Sequence, residues 1–141
     1  MNTLSKELIE AYSKANYEIL VEPAFSFKIG QKNLKLCAFL HSHNSNTAAY
    51  VTAFNPHSKK TSYSLNLTFQ EKLHNILSSS AHVFFDGCGT DPDKVWPEEP
   101  GFLILSIPEL NAINLGKKFN QNAIVWIEKN GAPKLVNLIE D

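Results

Sequence analysis

Between Asp86 and Gly101 the chain reads Asp-Gly-Cys-Gly-Thr-Asp-Pro-Asp-Lys-Val-Trp-Pro-Glu-Glu-Pro-Gly, gathering five acidic residues, three prolines, three glycines, a cysteine and a tryptophan. Several of these residue types could do chemistry. Asp86 and Glu99 could form an acid and base pair. Asp91-Pro-Asp93 could ligate Mg²⁺ or Ca²⁺, and Cys88 could act as a nucleophile with His57 as its base. No spacing requires any of them. The Asp-x-Asp-x-Asp-Gly pattern of a calcium loop is missing, Cys88 has no third group to orient a base, and the acidic pair obeys no fixed separation. The plainer expectations are a solvated loop, turn chemistry and a structural thiol. His41 and His43 are a poor metal pair, because residues two apart do not share a helix face. With no glycine-rich phosphate cradle, nucleophile elbow or zinc signature, P-loop enzymes, serine hydrolases and metal hydrolases are disfavoured. No metal and no cofactor is expected, and no catalytic residue is assigned.

Composition narrows the partners. All 13 basic residues are lysines and the formal net charge is −1. Without arginine there is no planar fork for bidentate phosphate or guanine recognition, so no nucleic acid is expected. No apolar run approaches the ~20 residues needed to span a bilayer, and no basic-then-apolar leader opens the chain. The expectation is a cytoplasmic protein with no membrane association, one domain over residues 1–141. Cys37 and Cys88, 51 residues apart and without C-x-x-C spacing, read as free thiols in a reducing compartment.

The elements that must position these residues follow from periodicity. Leu4, Leu8, Ala11, Tyr12 and Ala15 form the stripe of a first helix, with Thr3 as its cap. Tyr17–Glu22 and Phe25–Ile29 make a hairpin around Pro23. Asn33 caps a second helix, and 48–54 is a continuous apolar strand covered on both faces. Ser62 caps a third helix, in which Leu65, Phe69, Leu73, Ile76 and Leu77 keep helical spacing. Strands at His82–Phe85 and Phe102–Ile107 flank the long acidic stretch. Pro108 opens a fourth helix holding Leu110, Ala112, Leu115 and Phe119. Ala123–Ile127 and Leu135–Ile139 pair through Asn130-Gly131. The fold class is α+β, a single mixed β-sheet of about six to seven strands with about four helices packed on it.

Strand-helix-strand units normally return parallel. If the strands ending at Ile29, Phe54 and Phe85 run parallel, Gly30, the 55–62 loop and the Asp86 stretch share one edge. The fourth helix brings 119–123 to that edge as well. Asn55, His57, Ser58, Asp86, Asp91, Trp96, Glu99, Gln121 and Asn122 are then candidates to line one crevice, and the helix beginning near Ser62 adds backbone N–H donors there. Each has a structural reading too. Asn55-Pro56 can be a turn, Gln121-Asn122 a helix end, and Trp96 the anchor of the loop.

Tyr12 and Tyr17, Val51-Thr-Ala-Phe-Asn-Pro56 with Ser58, Gly87-Cys-Gly-Thr-Asp-Pro92, Trp96-Pro-Glu-Glu-Pro-Gly-Phe102 and Phe119-Asn-Gln-Asn-Ala-Ile-Val-Trp126 occur in one order along most of the chain. In these motifs the chain resembles the bacterial family catalogued as domain of unknown function 3293. The resemblance implies no activity, since the family is named for having none assigned. His57 and Thr90 stand where the resemblance leads one to expect arginine, which implies weak or absent binding of any anionic ligand such arginines would hold. Two functions are therefore expected in competition. One is a small-ligand site, with or without catalysis, on the polar rim formed by segments 55–62, 86–100 and 119–123. The other is a protein-interaction module using the acidic Pro/Trp loop 86–100.

Overall fold

The computed structural model describes residues 4–139. Its elements in chain order are α1 (Lys6–Lys14), β1 (Asn16–Ile19), β2 (Phe25–Phe27), α2 (Leu34–Ser42), β3 (Thr47–Val51), α3 (Tyr63–Ser78), β4 (Phe84–Thr90), β5 (Glu99–Leu105), α4 (Glu109–Lys118), β6 (Ala123–Glu128) and β7 (Lys134–Asn137), with a tight turn at Pro56–Ser58. This is the expected α+β class: one sheet of seven strands in the order β2-β1-β4-β5-β3-β6-β7, with four helices. Every neighbouring pair is antiparallel. The parallel rule nevertheless placed the strand ends correctly. Direction alternates across the sheet, so β2, β3 and β4 point the same way without touching, and β1, β5 and β6 all start from the edge where those three end.

Both faces are covered, as the uninterrupted apolar character of β3 requires. On one face Ala49, Val51, Phe102, Ile104 and Trp126 meet Leu73 and Leu77 of α3 and Ala112 of α4. On the other, Ile19, Phe27, Tyr50, Leu103 and Val125 meet Leu36 and Leu40 of α2. Each fully buried leucine contributes roughly 1.5–3 kcal/mol. At Gly116 of α4 a Cβ would lie 2.4 Å from Leu138 Cδ1 and 2.7 Å from Ile124 Cγ2, so glycine there sets how closely α4 approaches β6.

Several boundaries differ from the sequence reading. Asn33 and Ser62 do cap α2 and α3, accepting from Leu36 N (3.0 Å) and Leu65 N (3.3 Å). Thr3 lies outside the described residues; Ser5 caps α1 by accepting from Leu8 N. The larger correction concerns the acidic stretch. β4 runs on to Thr90 and β5 begins at Glu99, pairing Gly87 with Gly101 and Gly89 with Glu99, so only 91–98 remain as the connection. Gly and Pro in both halves argued against strand, yet the ladder forms because these glycines answer a packing need described below. Leu65 and Leu110, placed on buried stripes by spacing, are 50% and 66% exposed. In α3 the inward positions preceding Leu73 and Leu77 are instead the polar Asn66 and Gln70.

Candidate functional site

α1 buries none of its residues, although its apolar stripe is regular. The stripe faces a cavity. Leu8, Ala11, Tyr12 and Ala15 form one wall, and the sheet supplies the other with Tyr17, Tyr50, Thr52, Glu99, Ala123 and Val125. Residues of the 91–98 connection, Asp91, Trp96 and Pro97, close a third side, and the space enclosed is about 110 Å³. A water needs on the order of 10–15 Å³ on this measure, so the cavity has room for a small organic molecule. Lys14 Nζ stands 3.6 Å from Asp93 Oδ2 and ties α1 to the connection; both side chains are largely exposed, which makes the link a weak one.

The floor is built by glycine. A Cβ at Gly101 would stand 2.6 Å from Cζ and Oη of Tyr50, and one at Gly87 would stand 2.7 Å from its Cε2. These two residues face each other across β4 and β5. Their missing side chains let the Tyr50 ring lie across the strands, edge-on to Tyr17 at 5.1 Å and to Phe27 at 6.2 Å. The Tyr50 side chain is 4% exposed, and its hydroxyl finds no hydrogen-bond partner among the described residues. A buried hydroxyl left unpaired costs roughly 1–3 kcal/mol. Tyr50→Phe is therefore expected to raise the stability of the empty protein by about 1 kcal/mol in urea unfolding; a loss of stability would show that the hydroxyl is satisfied internally.

Glu99 brings a half-buried carboxyl to the cavity wall. Asn55 Nδ2 donates to its Oε2 at 3.0 Å. Burial raises its pKa above the ordinary carboxylate value, and the Asn55 hydrogen bond only partly offsets this. The same carboxylate helps raise the pKa of Tyr12, Tyr17 and Tyr50, for each of which burial is the main cause. Three phenols thus surround one carboxyl. Folded Glu99 keeps its proton to higher pH than the unfolded chain does. Its contribution to stability is fully present below the unfolded glutamate pKa of about 4.3 and is lost as pH rises through the folded value. Glu99→Gln should accordingly be more stable than wild type near neutrality and not below pH 4. Thermal unfolding across that range checks this, and curves offset equally at every pH would contradict it.

Asn55 is held from all sides. Its backbone N donates to Asn66 Oδ1 (2.8 Å), and its Oδ1 accepts from Thr61 N (3.1 Å) and Asn66 Nδ2 (2.9 Å). Asn55, His57 and Ser58 all have positive φ, at 50°, 59° and 58°. Such backbone costs of order 1–3 kcal/mol per residue and persists only where its surroundings fix it. Here His57 N donates to Asn120 O, Ser58 N to Asn55 O, and Asn122 Nδ2 to Ser58 Oγ at 2.7 Å. The result carries Ser58 to the cavity wall, where its side chain interacts with Tyr12.

Of the nine residues expected at the rim, Asn55, Ser58, Asp91, Trp96, Glu99 and Gln121 line the cavity. Asn122 stands behind Ser58. Gln121 spends its amide nitrogen on Phe54 O (3.0 Å) and Phe119 O (3.3 Å). Asp91 accepts from Asp93 N, Val95 N and Trp96 N, and these amides, Trp96 first, lower its pKa. His57 is exposed and outside the cavity. Asp86 is also exposed, because β4 continues past it; at ~3.3 Å per residue it lies about 13 Å short of the strand end at Thr90. Gly30 donates to Pro133 O and takes no part. At the start of α3, Leu65 N is taken by Ser62 Oγ and Asn66 N by its carbonyl, and none of residues 62–66 lines the cavity. Cys88 contacts Gly89 O and Glu98, and burial followed by Glu98 pushes its pKa up to about 11, the reverse of an activated thiolate. Both cysteines are free, and no cluster of metal-ligating side chains occurs among the described residues. No helix among them is long and apolar enough to cross a membrane.

Tyr12, Tyr17, Tyr50 and Thr52 were not among the sequence candidates. The signal for Tyr50 was the pair of glycines set into an otherwise apolar sheet, which marks a close approach.

Searches of curated proteins and of solved structures find no match. A family model described as "Protein of unknown function (DUF3293)" matches residues 51–124, which run from the end of β3 to the start of β6 and include Thr52, Asn55, Ser58, Glu99 and Gln121. By that match over more than half of its length, the chain belongs to the DUF3293 family.

Proposed function

We propose that this protein binds a small organic molecule in the cavity between α1 and the sheet. The observation that carries the reading is the cavity itself, about 110 Å³ of space with Tyr12, Tyr17, Tyr50, Phe54 and Trp96 set around the Glu99 carboxyl. An apolar, aromatic space with a few convergent polar groups is the common character of a small-molecule site. The amphipathic helix α1 argues the same way, since its half-buried apolar stripe lines this space and a ligand would bury it further. Trp96 supplies a readout. It lines the cavity at its mouth and is 44% exposed. In a Trp126→Phe background, a bound ligand should shift Trp96 emission to the blue and protect it from quencher. Ligands that raise thermal stability without altering Trp96 would place binding elsewhere.

A second reading is favoured by the tip of the 91–98 connection, where Val95 is 75% exposed beside Trp96. A partner protein would use these two as anchors. Double substitution of Val95 and Trp96 by Ser would then abolish partner capture and leave Tyr50 burial untouched.

A further inference from the structure

We infer that the ligand of this cavity carries a positively charged amino group, seated against Glu99 among the rings of Tyr12, Tyr17 and Tyr50. The inference rests on the cavity being a ligand site, and it adds the charge of what enters.

Every charged residue lining the space is acidic: Asp91 and Glu99, with no lysine or histidine among the described residues there. An anion would meet two carboxylates and no countercharge. The two differ in what they have left to offer. Both oxygens of Asp91 are engaged by amides of its own connection. Glu99 receives one protein donor, Asn55 Nδ2 on Oε2. A carboxylate has about four acceptor sites, so Glu99 retains capacity for an ammonium. Lys14 of α1 does not line the space and is paired with Asp93 of the connection. Tyr12, Tyr17, Tyr50, Phe54 and Trp96 make the remaining walls strongly aromatic. Organic cations are attracted to such rings, the more so when desolvated.

Glu99→Gln keeps an oxygen to accept from Asn55 while removing the charge, and the stability argument above has it folding at least as well as wild type. The test uses the whole chain and three probes of one shape: cyclohexylmethylamine, cyclohexylmethanol and cyclohexanecarboxylate, titrated at neutral pH and followed by Trp96 emission and calorimetry. The amine should bind tightest to wild type, and it should lose about 10- to 100-fold in Glu99→Gln, the scale of a charged hydrogen bond. The alcohol should change little. Equal or tighter binding of the alcohol or the carboxylate to wild type would overturn the charge assignment and leave the cavity as a ligand site. The same holds if the amine's advantage survives in Glu99→Gln. Failure of all three to bind at millimolar concentration would overturn both. The wild-type ranking stands as a test independent of how the variant folds.

Discussion

Gly101→Val should lower stability by about 1–3 kcal/mol, the usual consequence of overpacking, and drop the melting temperature by several degrees. A Cβ there stands 2.6 Å from Cζ and Oη of Tyr50 and 2.7 Å from its Cε1. The ring cannot swing aside, because Tyr17 and Phe27 hold it edge-on and almost none of it is exposed. Combining the change with Tyr50→Ala provides the control. If valine is unfavourable because it meets the ring, the double variant should be more stable than the sum of the two single effects by at least about 0.5 kcal/mol. Additive effects would mean that Gly101 is needed for its backbone and not for the space above it.

Asn66→Ala should cost about 1–3 kcal/mol, although a polar residue on a helix would ordinarily be thought dispensable. Asn66 is buried, accepts from Asn55 N at 2.8 Å, and donates to Asn55 Oδ1 and to Thr61 O. Truncation leaves the buried Asn55 amide unpaired and removes the brace from a turn already in left-handed backbone. Asn55 Nδ2 is the donor that orients Glu99, so ligand affinity should fall too, though Asn66 does not line the cavity. Urea unfolding and ligand titration together check this. Lost stability with unchanged affinity would separate the brace from the site.

These two residues also show what could be read in the chain. The run of directions was legible: β-rich segments joined by helices placed the ends of β2, β3 and β4 on one edge, and that edge does hold Asn55, Glu99 and Gln121. Neighbour relations were not, because antiparallel pairing to β5 and β1 separates strands that point the same way. Gly87, Gly89, Gly101 and Pro100 read as loop by propensity, since only the location of the Tyr50 ring explains why Gly87 and Gly101 suit a ladder there. Asn66 and Gln70 were hidden for a related reason. They continue the face of Leu73 and Leu77, but apolar spacing alone assigned Leu65 to it, and the backbone amides that donate to their side chains, those of Asn55 and Ala53, come from a distant strand end. The apolar stripe of α1 was legible from spacing; that it lines a cavity was not.

Ala11→Trp tests the central claim most directly. Ala11 is half-buried on a helix that contributes nothing fully buried, and it lines the cavity, so an indole there fills the space without disturbing the packed faces of the sheet. Melting of wild type and Ala11→Trp should be compared across a library of amines, nucleosides, sugars and amino acids. A ligand present at 100 times its dissociation constant should stabilise wild type by about 2.7 kcal/mol and leave Ala11→Trp unmoved, while the two empty proteins melt alike. Equal stabilisation of both proteins by every active compound, or no stabilisation of wild type by any, would contradict a ligand site between α1 and the sheet.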